Sequence, residues 1–304
     1  MTEIAAIFRQ FFDSNSKFVL AFSSGPDSTF LAELLGREKF EKIFLAHFDH
    51  RWRGAENSRI EKEFTAKIAK KFGWKFFIES WENPEKSETA ARGARWKFLN
   101  KIADETGAAA ILTGHHFDDQ TETIFLNFLR GAGLRGLRGM KIWEKSRRVF
   151  RPLLQIRKSE ILQFLTEKKL PFCVDETNFE TTAPRNFLRG EIFPQLEKKF
   201  PEFAAAVSRT GKIAKNWDEF FDPLLKSEIQ NLKSGDGFSR AHFLGKSNFV
   251  RAEIWRQLFA PRNLDFRQIE NLDNFLRTAR SGKKLALCGR ELQTFGENFW
   301  VRGI

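Results

Sequence analysis

The sequence predicts an α/β fold: a Rossmann-like parallel sheet with helices on both faces, then a smaller, mainly helical C-terminal domain. Three observations predict it. In the first half, short β-branched and aromatic runs alternate with helix-periodic stretches of ten or more residues. Such alternation builds βαβ units, whose helices cover both faces of a parallel sheet. The conspicuous polar residues fall just after the strands, where sheets of this kind bind ligands. Beyond about residue 198 the alternation stops and helical periodicity takes over.

The first predicted strand is 17–22, Lys-Phe-Val-Leu-Ala-Phe, followed by a helix over 27–36. Further strands are predicted at 42–46, 75–79 and 108–113, with helices at 56–72, 87–106 and 118–130. Lys198-Lys-Phe-Pro201 reads as a junction, which divides the chain into domains 1–198 and 199–304. The second domain is predicted as helices at 202–233, 247–259 and 265–280, with a short β-like end at 284–288 and 299–301.

The 304 residues are 41% apolar, ample for a core, and no window approaches a membrane-spanning apolar run. Only two cysteines occur, Cys173 and Cys288, far apart and outside any Cys-x-x-Cys. That excludes a disulfide framework and a four-thiolate metal site, so a reducing cytoplasm is expected. The start, Met-Thr-Glu with Asp13 soon after, lacks the basic flank and apolar stretch of a signal peptide.

The net charge of +12 makes the chain a candidate for nucleic-acid contact, because phosphate neutralisation releases counterions. The charge is concentrated: residues 130–158 hold ten basic side chains and one acidic one, Glu144. Trp143 and Phe150 interleave with them, as on surfaces that join phosphate contacts to base stacking. Residues 199–304 add 18 basic and 12 acidic side chains, which makes this region a second basic surface.

Two segments carry chemistry. Ser23-Ser24-Gly25-Pro26-Asp27-Ser28 lies between a strand and a helix, so its N–H groups meet the positive end of the helix dipole, a setting for phosphate. It is not a Walker A loop, because the lysine is missing. Hydroxyls stand at each end, and Asp27 offers a carboxylate suited to Mg²⁺. If the loop must reach positive φ at Ser24, serine strains it by about 1 kcal/mol. The second segment is Thr113-Gly-His115-His116-Phe-Asp-Asp119-Gln-Thr-Glu122-Thr123. A helix opening near Asp118 puts Asp119 and Glu122 on one face, able to hold Mg²⁺ or an ammonium. His47, Asp49 and His50 follow the second strand, so four of five histidines converge on one sheet edge. Arg92 and Arg95 share a helix face and can address an anion. Gly131-Ala-Gly133-Leu-Arg-Gly136 matches a dinucleotide fingerprint but follows a helix instead of a strand, and is set aside.

The phosphate loop resembles the Ser-Gly-Gly-x-Asp-Ser loop of the N-type ATP pyrophosphatases, the PP-loop superfamily. Residues 17–198 together resemble the tRNA(Ile)-lysidine synthetases. The resemblance runs through Ser23–Ser28, His47–Arg53, Ala91–Trp96, Gly114–Thr123, Arg151-Pro-Leu-Leu154, Asp175-Glu-Thr-Asn178 and Arg185-Asn-Phe-Leu-Arg189. Departures are Ser24 for glycine, Trp96 for tyrosine, and Arg51-Trp52 for Gly-Leu.

The resemblance implies a ligase that uses ATP and Mg²⁺. It adenylates C2 of the wobble cytidine in a CAU-anticodon tRNA(Ile), then joins free L-lysine there and expels AMP. Ser23, Ser24, Gly25, Pro26, Asp27, Ser28 and His47 are then the expected nucleotide contacts, with Asp27 on the metal. Asp27, Arg95, His115, Asp119 and Glu122 are the expected catalytic group. Asp119, Glu122 and Arg95 match lysine's two cations and one anion, and His115 orients the reacting groups. The resemblance also allows a homodimer. A tRNA thiolase of the same superfamily, a metallo-phosphoesterase and a non-catalytic tRNA-binding protein remain the other readings.

Overall fold

Strand β1 (Phe18–Ala21) is the spine of the computed structural model, which describes residues 2–52, 54–82, 87–173, 184–260 and 264–303. Arg53 and the Asp175–Asn178 segment lie outside the described residues. Two compact units are present, Met1–Ala214 and Lys215–Ile304.

The first unit begins with helix α1 (Thr2–Arg9), which sequence periodicity did not announce. After β1 come α2 (Pro26–Arg37), β2 (Ile43–Asp49), α3 (Gly54–Phe72), β3 (Lys75–Ser80), α4 (Glu88–Thr106), β4 (Ala110–Leu112) and α5 (Phe117–Leu129). The predicted strands and helices of this half are all present. A single turn α6 (Leu134–Leu137) leads to two strands the sequence reading missed, β5 (Trp143–Glu144) and β6 (Val149–Phe150), and then α7 (Lys158–Glu167).

Sheet order is β3-β2-β1-β4-β6-β5. All neighbours pair in parallel except the edge pair β5–β6. The chain moves outward from β1 to β3 and then crosses to β4 on the other side. The C-terminal ends of β1 and β4 therefore flank the switch point, where an open sheet forms its ligand crevice.

Alternation along β1 explains its double burial. Phe18 and Leu20 join a core with Phe8, Leu31, Leu35 and Phe150, while Val19 joins one with Phe98, Leu99 and Ile102 on the opposite face. This overturns one expectation. Phe150 is fully buried among Phe8, Phe11 and Phe12, and Trp143 packs edge-on against Phe12, so neither offers a stacking surface to a base. Their place on two added strands turns them inward.

Asp49, at the end of β2, is a buried knot. It accepts from the Arg51 N–H (2.8 Å) and the Ser58 and Ser80 hydroxyls (2.9 and 3.1 Å), and pairs with Lys62 at 2.9 Å. Burial alone would raise its carboxyl, but Lys62, the Arg51 N–H and Ser58 outweigh it and hold it at about 2. A carboxyl held below its unfolded value of about 4 stabilises fully above that value and ceases to as pH falls through the folded one. The stability gap between wild type and Asp49→Asn, measured by urea denaturation, should be constant near neutrality and close between about pH 4 and 2.

Residues 184–199 form a helical stretch with a π turn at Leu188–Ile192 between α8 (Pro184–Phe187) and α9 (Phe193–Lys199). Helix α10 (Phe203–Asn231) follows, and the division between the units falls within it, beyond the junction read at 198. In the second unit, α11 (Arg240–Leu244), α12 (Asn248–Phe259) and α13 (Phe266–Thr278) accompany an antiparallel sheet. Its strands are β7 (Lys233–Ser234), β8 (Gly237–Ser239), β9 (Lys284–Leu287), β10 (Arg290–Phe295) and β11 (Asn298–Gly303). The order is β7-β8-β11-β10-β9. Trp255, Phe243 and Phe299 fill its core, and the Trp255 N–H donates to Asp273 at 2.7 Å.

Candidate active site

The turn after β1 is tightly self-bonded. The Ser28 hydroxyl donates to the Gly25 carbonyl at 3.1 Å and receives the Ser23 N–H at 3.2 Å, and the Ser23 and Ser28 hydroxyls lie 3.2 Å apart. Gly25 caps α2 in extended backbone and Pro26 opens the helix, where its missing N–H costs nothing. The first-turn N–H groups are thus held toward the crevice.

Ser24 adopts φ 63°, the left-handed conformation anticipated from the glycine that its position resembles. It is wholly buried. Its hydroxyl reaches the Glu61 carbonyl at 3.3 Å and Thr65 at 3.4 Å, and its own carbonyl accepts from the Cys173 N–H at 2.9 Å. Ser24→Gly would relieve about 1 kcal/mol of strain but give up these long bonds and loosen the unfolded chain by a similar amount. Chemical denaturation should find the variant within about 1 kcal/mol of wild type.

His47 lies inside β2, not after it, and is 1% exposed. Its Nδ1 is 3.0 Å from the Phe22 carbonyl and its Nε2 is 3.6 Å from Glu61. Burial lowers its pKa even against the Phe22 bond, so the ring is neutral near pH 7. It bonds the backbone immediately before the Ser23–Ser28 turn.

The loop after β4 approaches α2 closely. A Cβ on Gly114 would stand 3.1 Å from the Asp27 carbonyl carbon and Cβ and 3.2 Å from the Ser28 nitrogen. This contact brings the two chemical segments together. His116, not singled out from the sequence, is the hub: its ring nitrogens lie 3.9 Å from Asp27, 3.3 Å from Asp118 and 3.4 Å from Asp119. Burial alone would lower its pKa, but Asp118, Asp119 and Asp27 outweigh that and raise it. The Asp119 carboxylate also accepts the His116 N–H at 3.0 Å, closing the cap of α5.

His115 is oriented by Thr113, whose hydroxyl is 2.7 Å from Nδ1. Burial, aided by Arg151, Arg92 and Arg95, pushes its pKa down to about 4 against the pull of Asp119. The ring is therefore uncharged at neutral pH.

A lysine absent from the loop sequence is supplied from elsewhere. Lys158, first residue of α7, bonds Asp27 at 2.5 Å, and its backbone N–H donates to Asp118 at 2.7 Å. The basic run 130–158 announced its charge, but nothing in sequence spacing tied it to Asp27.

The acids of α5 already hold a cation. Arg189 bonds Glu122 at 2.6 and 3.0 Å and Asp119 at 3.1 Å, while Arg185 lies 3.4 Å from Glu122 and donates to Thr123 at 2.9 Å. Glu122 is 1% exposed, and burial raises its carboxyl despite this pairing. Arg95 is not part of this cluster. Among the described residues it makes no ion pair, and its neighbours are Arg92 and Glu88. The sequence-predicted residues thus gather as the Ser23–Ser28 loop with Asp27 and as Asp119 with Glu122, joined through His116. His115 and Arg95 stand on an adjoining cationic side.

Among the described residues no group of three or more His, Cys, Asp or Glu side chains is placed to hold a metal. Mg²⁺ takes one or two protein ligands and completes its shell with phosphate oxygens and water, so Asp27, partly exposed, would suffice for it on exchanging Lys158 for the metal.

Residues 1–196 match the PP-loop domain family. A tRNA(Ile)-lysidine synthase of Thermosipho africanus is 37% identical over 81% of this chain and 58% of its own length. Another, of a Nostoc species, is 32% identical over 76% of this chain and 70% of its own. The chain thus spans little more than half of the Thermosipho relative. Among solved structures, the U34-tRNA thiolase NcsA from Methanococcus maripaludis superposes with a TM-score of 0.56 at 17% identity, covering 70% of this chain and 78% of that one. That likeness concerns the fold.

Proposed function

The chain belongs to the PP-loop family and, within it, to the tRNA(Ile)-lysidine synthases, and on that premise we propose that it ligates lysine to the wobble cytidine of CAU-anticodon tRNA(Ile). The observation that carries the proposal is the Gly114 contact, which sets the Ser23–Ser28 turn against the loop that leads into α5, where Asp119 and buried Glu122 accept a cation.

In the first step the cytidine C2 oxygen attacks the α-phosphorus of ATP and pyrophosphate leaves. The α2 N-terminus, the Ser23 and Ser28 hydroxyls and Lys158 would stabilise the charge that develops on the leaving group. Mg²⁺, when bound, supplies further neutralisation of that charge, and Asp27 is the residue that would hold it. In the second step the lysine ε-amine attacks C2 and AMP departs. Asp119 and Glu122 suit an ammonium, and Arg95, free of any carboxylate partner among the described residues, suits the lysine carboxylate. Neutral His115, fixed by Thr113, can orient the reacting groups without adding positive charge to the incoming amine. The basic second unit and residues 130–158 are proposed as tRNA contacts, and the catalytic work is assigned to residues 1–198. A thiolase is less well supported, because Cys173 and Cys288 are free and belong to different units.

Incubation with ATP, radiolabelled lysine and a CAU-anticodon tRNA tests the proposal. Label in the RNA, with AMP and pyrophosphate formed, is the expected result. Absence of label, together with no ATP binding at any magnesium concentration, would overturn it.

A further inference from the structure

Two arginines from separate elements meet over one indole. Arg92, on α4, and Arg147, in the turn after β5, place their guanidinium carbons 5.9 and 5.3 Å from the ring centroid of Trp96. Cation–π attraction at these distances biases both guanidinium groups toward the ring. Trp96 is itself anchored, packed against the Phe98–Leu99–Ile102 core. Its indole N–H is buried without an acceptor.

The charge here is poorly balanced. Arg147 shares one carboxylate, Glu144, with Arg151, at 3.6 and 2.9 Å respectively. Arg92 makes no ion pair among the described residues, and burial together with Arg147, Arg185 and Arg151 lowers its pKa. Holding like charges together costs energy that an incoming anion recovers. The proposed reading already gives the triphosphate the Ser23–Ser28 turn and Lys158, which leaves these arginines for another anion. Arg92 is near enough to His115, in the loop after β4, to act on its charge together with Arg95 and Arg151, and Arg147 and Arg151 share Glu144 at the adjoining sheet edge.

We propose that Arg92 and Arg147, spaced by Trp96, clamp a phosphodiester of the single-stranded RNA segment that carries the reacting nucleotide. This rests on the reading of the substrate as tRNA. Both guanidiniums contact the phosphate; Trp96 is a positioning residue. Guanidiniums already biased toward the ring lose less side-chain freedom when the strand binds.

Fluorescence anisotropy of a labelled CAU anticodon stem-loop, titrated with full-length protein across a range of KCl, tests the clamp. Loss of one single-strand phosphate contact reduces the log–log salt slope by ~0.7 and weakens binding about fourfold at 0.15 M salt. Arg92→Ala and Arg147→Ala should each show this, Arg147→Lys should recover most of the slope, and ATP affinity should stay unchanged in all three. Trp96→Leu should weaken RNA binding with both arginines present, whereas Trp96→Phe, which keeps a ring, should not. Thermal melts identify any variant that fails to fold, and the remaining arginine variant then decides. Wild-type affinity and slope in both alanine variants would overturn the clamp even if lysine transfer proceeds. A clamp effect in protein that transfers no lysine would leave the clamp standing and remove the ligase reading. No RNA binding by wild type would end both.

Discussion

Glu122→Gln is expected to reduce lysine transfer by roughly ten- to a hundredfold while leaving ATP affinity near that of wild type. The substitution preserves shape, but it removes one charge and turns one of the two acceptor oxygens into an N–H donor, in a side chain that is 1% exposed. A hydrogen bond to a charged group contributes about 1.5–3 kcal/mol, and each 1.36 kcal/mol is a factor of ten in rate or affinity. The site's capacity for a cation is visible in its hold on Arg189, with bonds of 2.6, 3.0 and 3.1 Å to the two acids. An ammonium entering this place meets the same carboxylates, and Arg189, with 43% of its side chain exposed, has room to yield. Steady-state kinetics should therefore show the loss chiefly as a raised KM for lysine. Pyrophosphate release in the first step needs no amine and should persist. An unchanged KM would assign Glu122 to holding the 184–192 segment and nothing more.

How legible these residues were depended on how local the signal was. The β1–turn–α2 unit is written in contiguous residues, because strand periodicity, Gly25, Pro26 and the helical spacing of Phe30, Leu31, Leu34 and Leu35 all point one way. The left-handed Ser24 was legible for the same reason, as one position in a short motif. Strands β5 and β6 were not legible, since each is two residues long and sits in a run dominated by charge. Their apolar residues then resembled an exposed stacking surface, when pairing with β4 turns Phe150 into the core. The partners Lys158 for Asp27 and Arg189 for Glu122 are 131 and 67 residues distant in sequence. Only the crossing from β3 to β4 and the return through α7 bring such groups together, and no spacing rule reports that. His116 was visible but ambiguous beside His115, because adjacent residues point to different surroundings and only the fold assigns each ring to its own.

Gly114→Ala tests whether the two halves of the site work as one. The added methyl would stand 3.1 Å from the Asp27 carbonyl carbon and Cβ and 3.2 Å from the Ser28 nitrogen. Two of these three atoms are backbone in the first turn of α2, so no side chain can swing aside to make room. Either the β4 loop retreats or the phosphate turn shifts by a few tenths of an ångström. Overpacking of this kind costs about 1–3 kcal/mol in stability, and the variant should melt lower. The larger effect concerns ATP. Donors aimed at a developing charge act through their placement, and displacing them forfeits about 2.7–4 kcal/mol of transition-state stabilisation for each donor lost. Lysine transfer should fall about a hundredfold, with ATP affinity reduced as well, at temperatures where the variant remains folded. Gly93 provides the contrast, for a methyl there meets no atom within 4 Å and Gly93→Ala lies within helix α4. That variant should retain ATP binding and gain slightly in stability from alanine's helix preference. Equal ATP affinity in Gly114→Ala and wild type would mean that the turn binds its phosphates independently of the β4 loop, and the coupling through His116 would have to be abandoned.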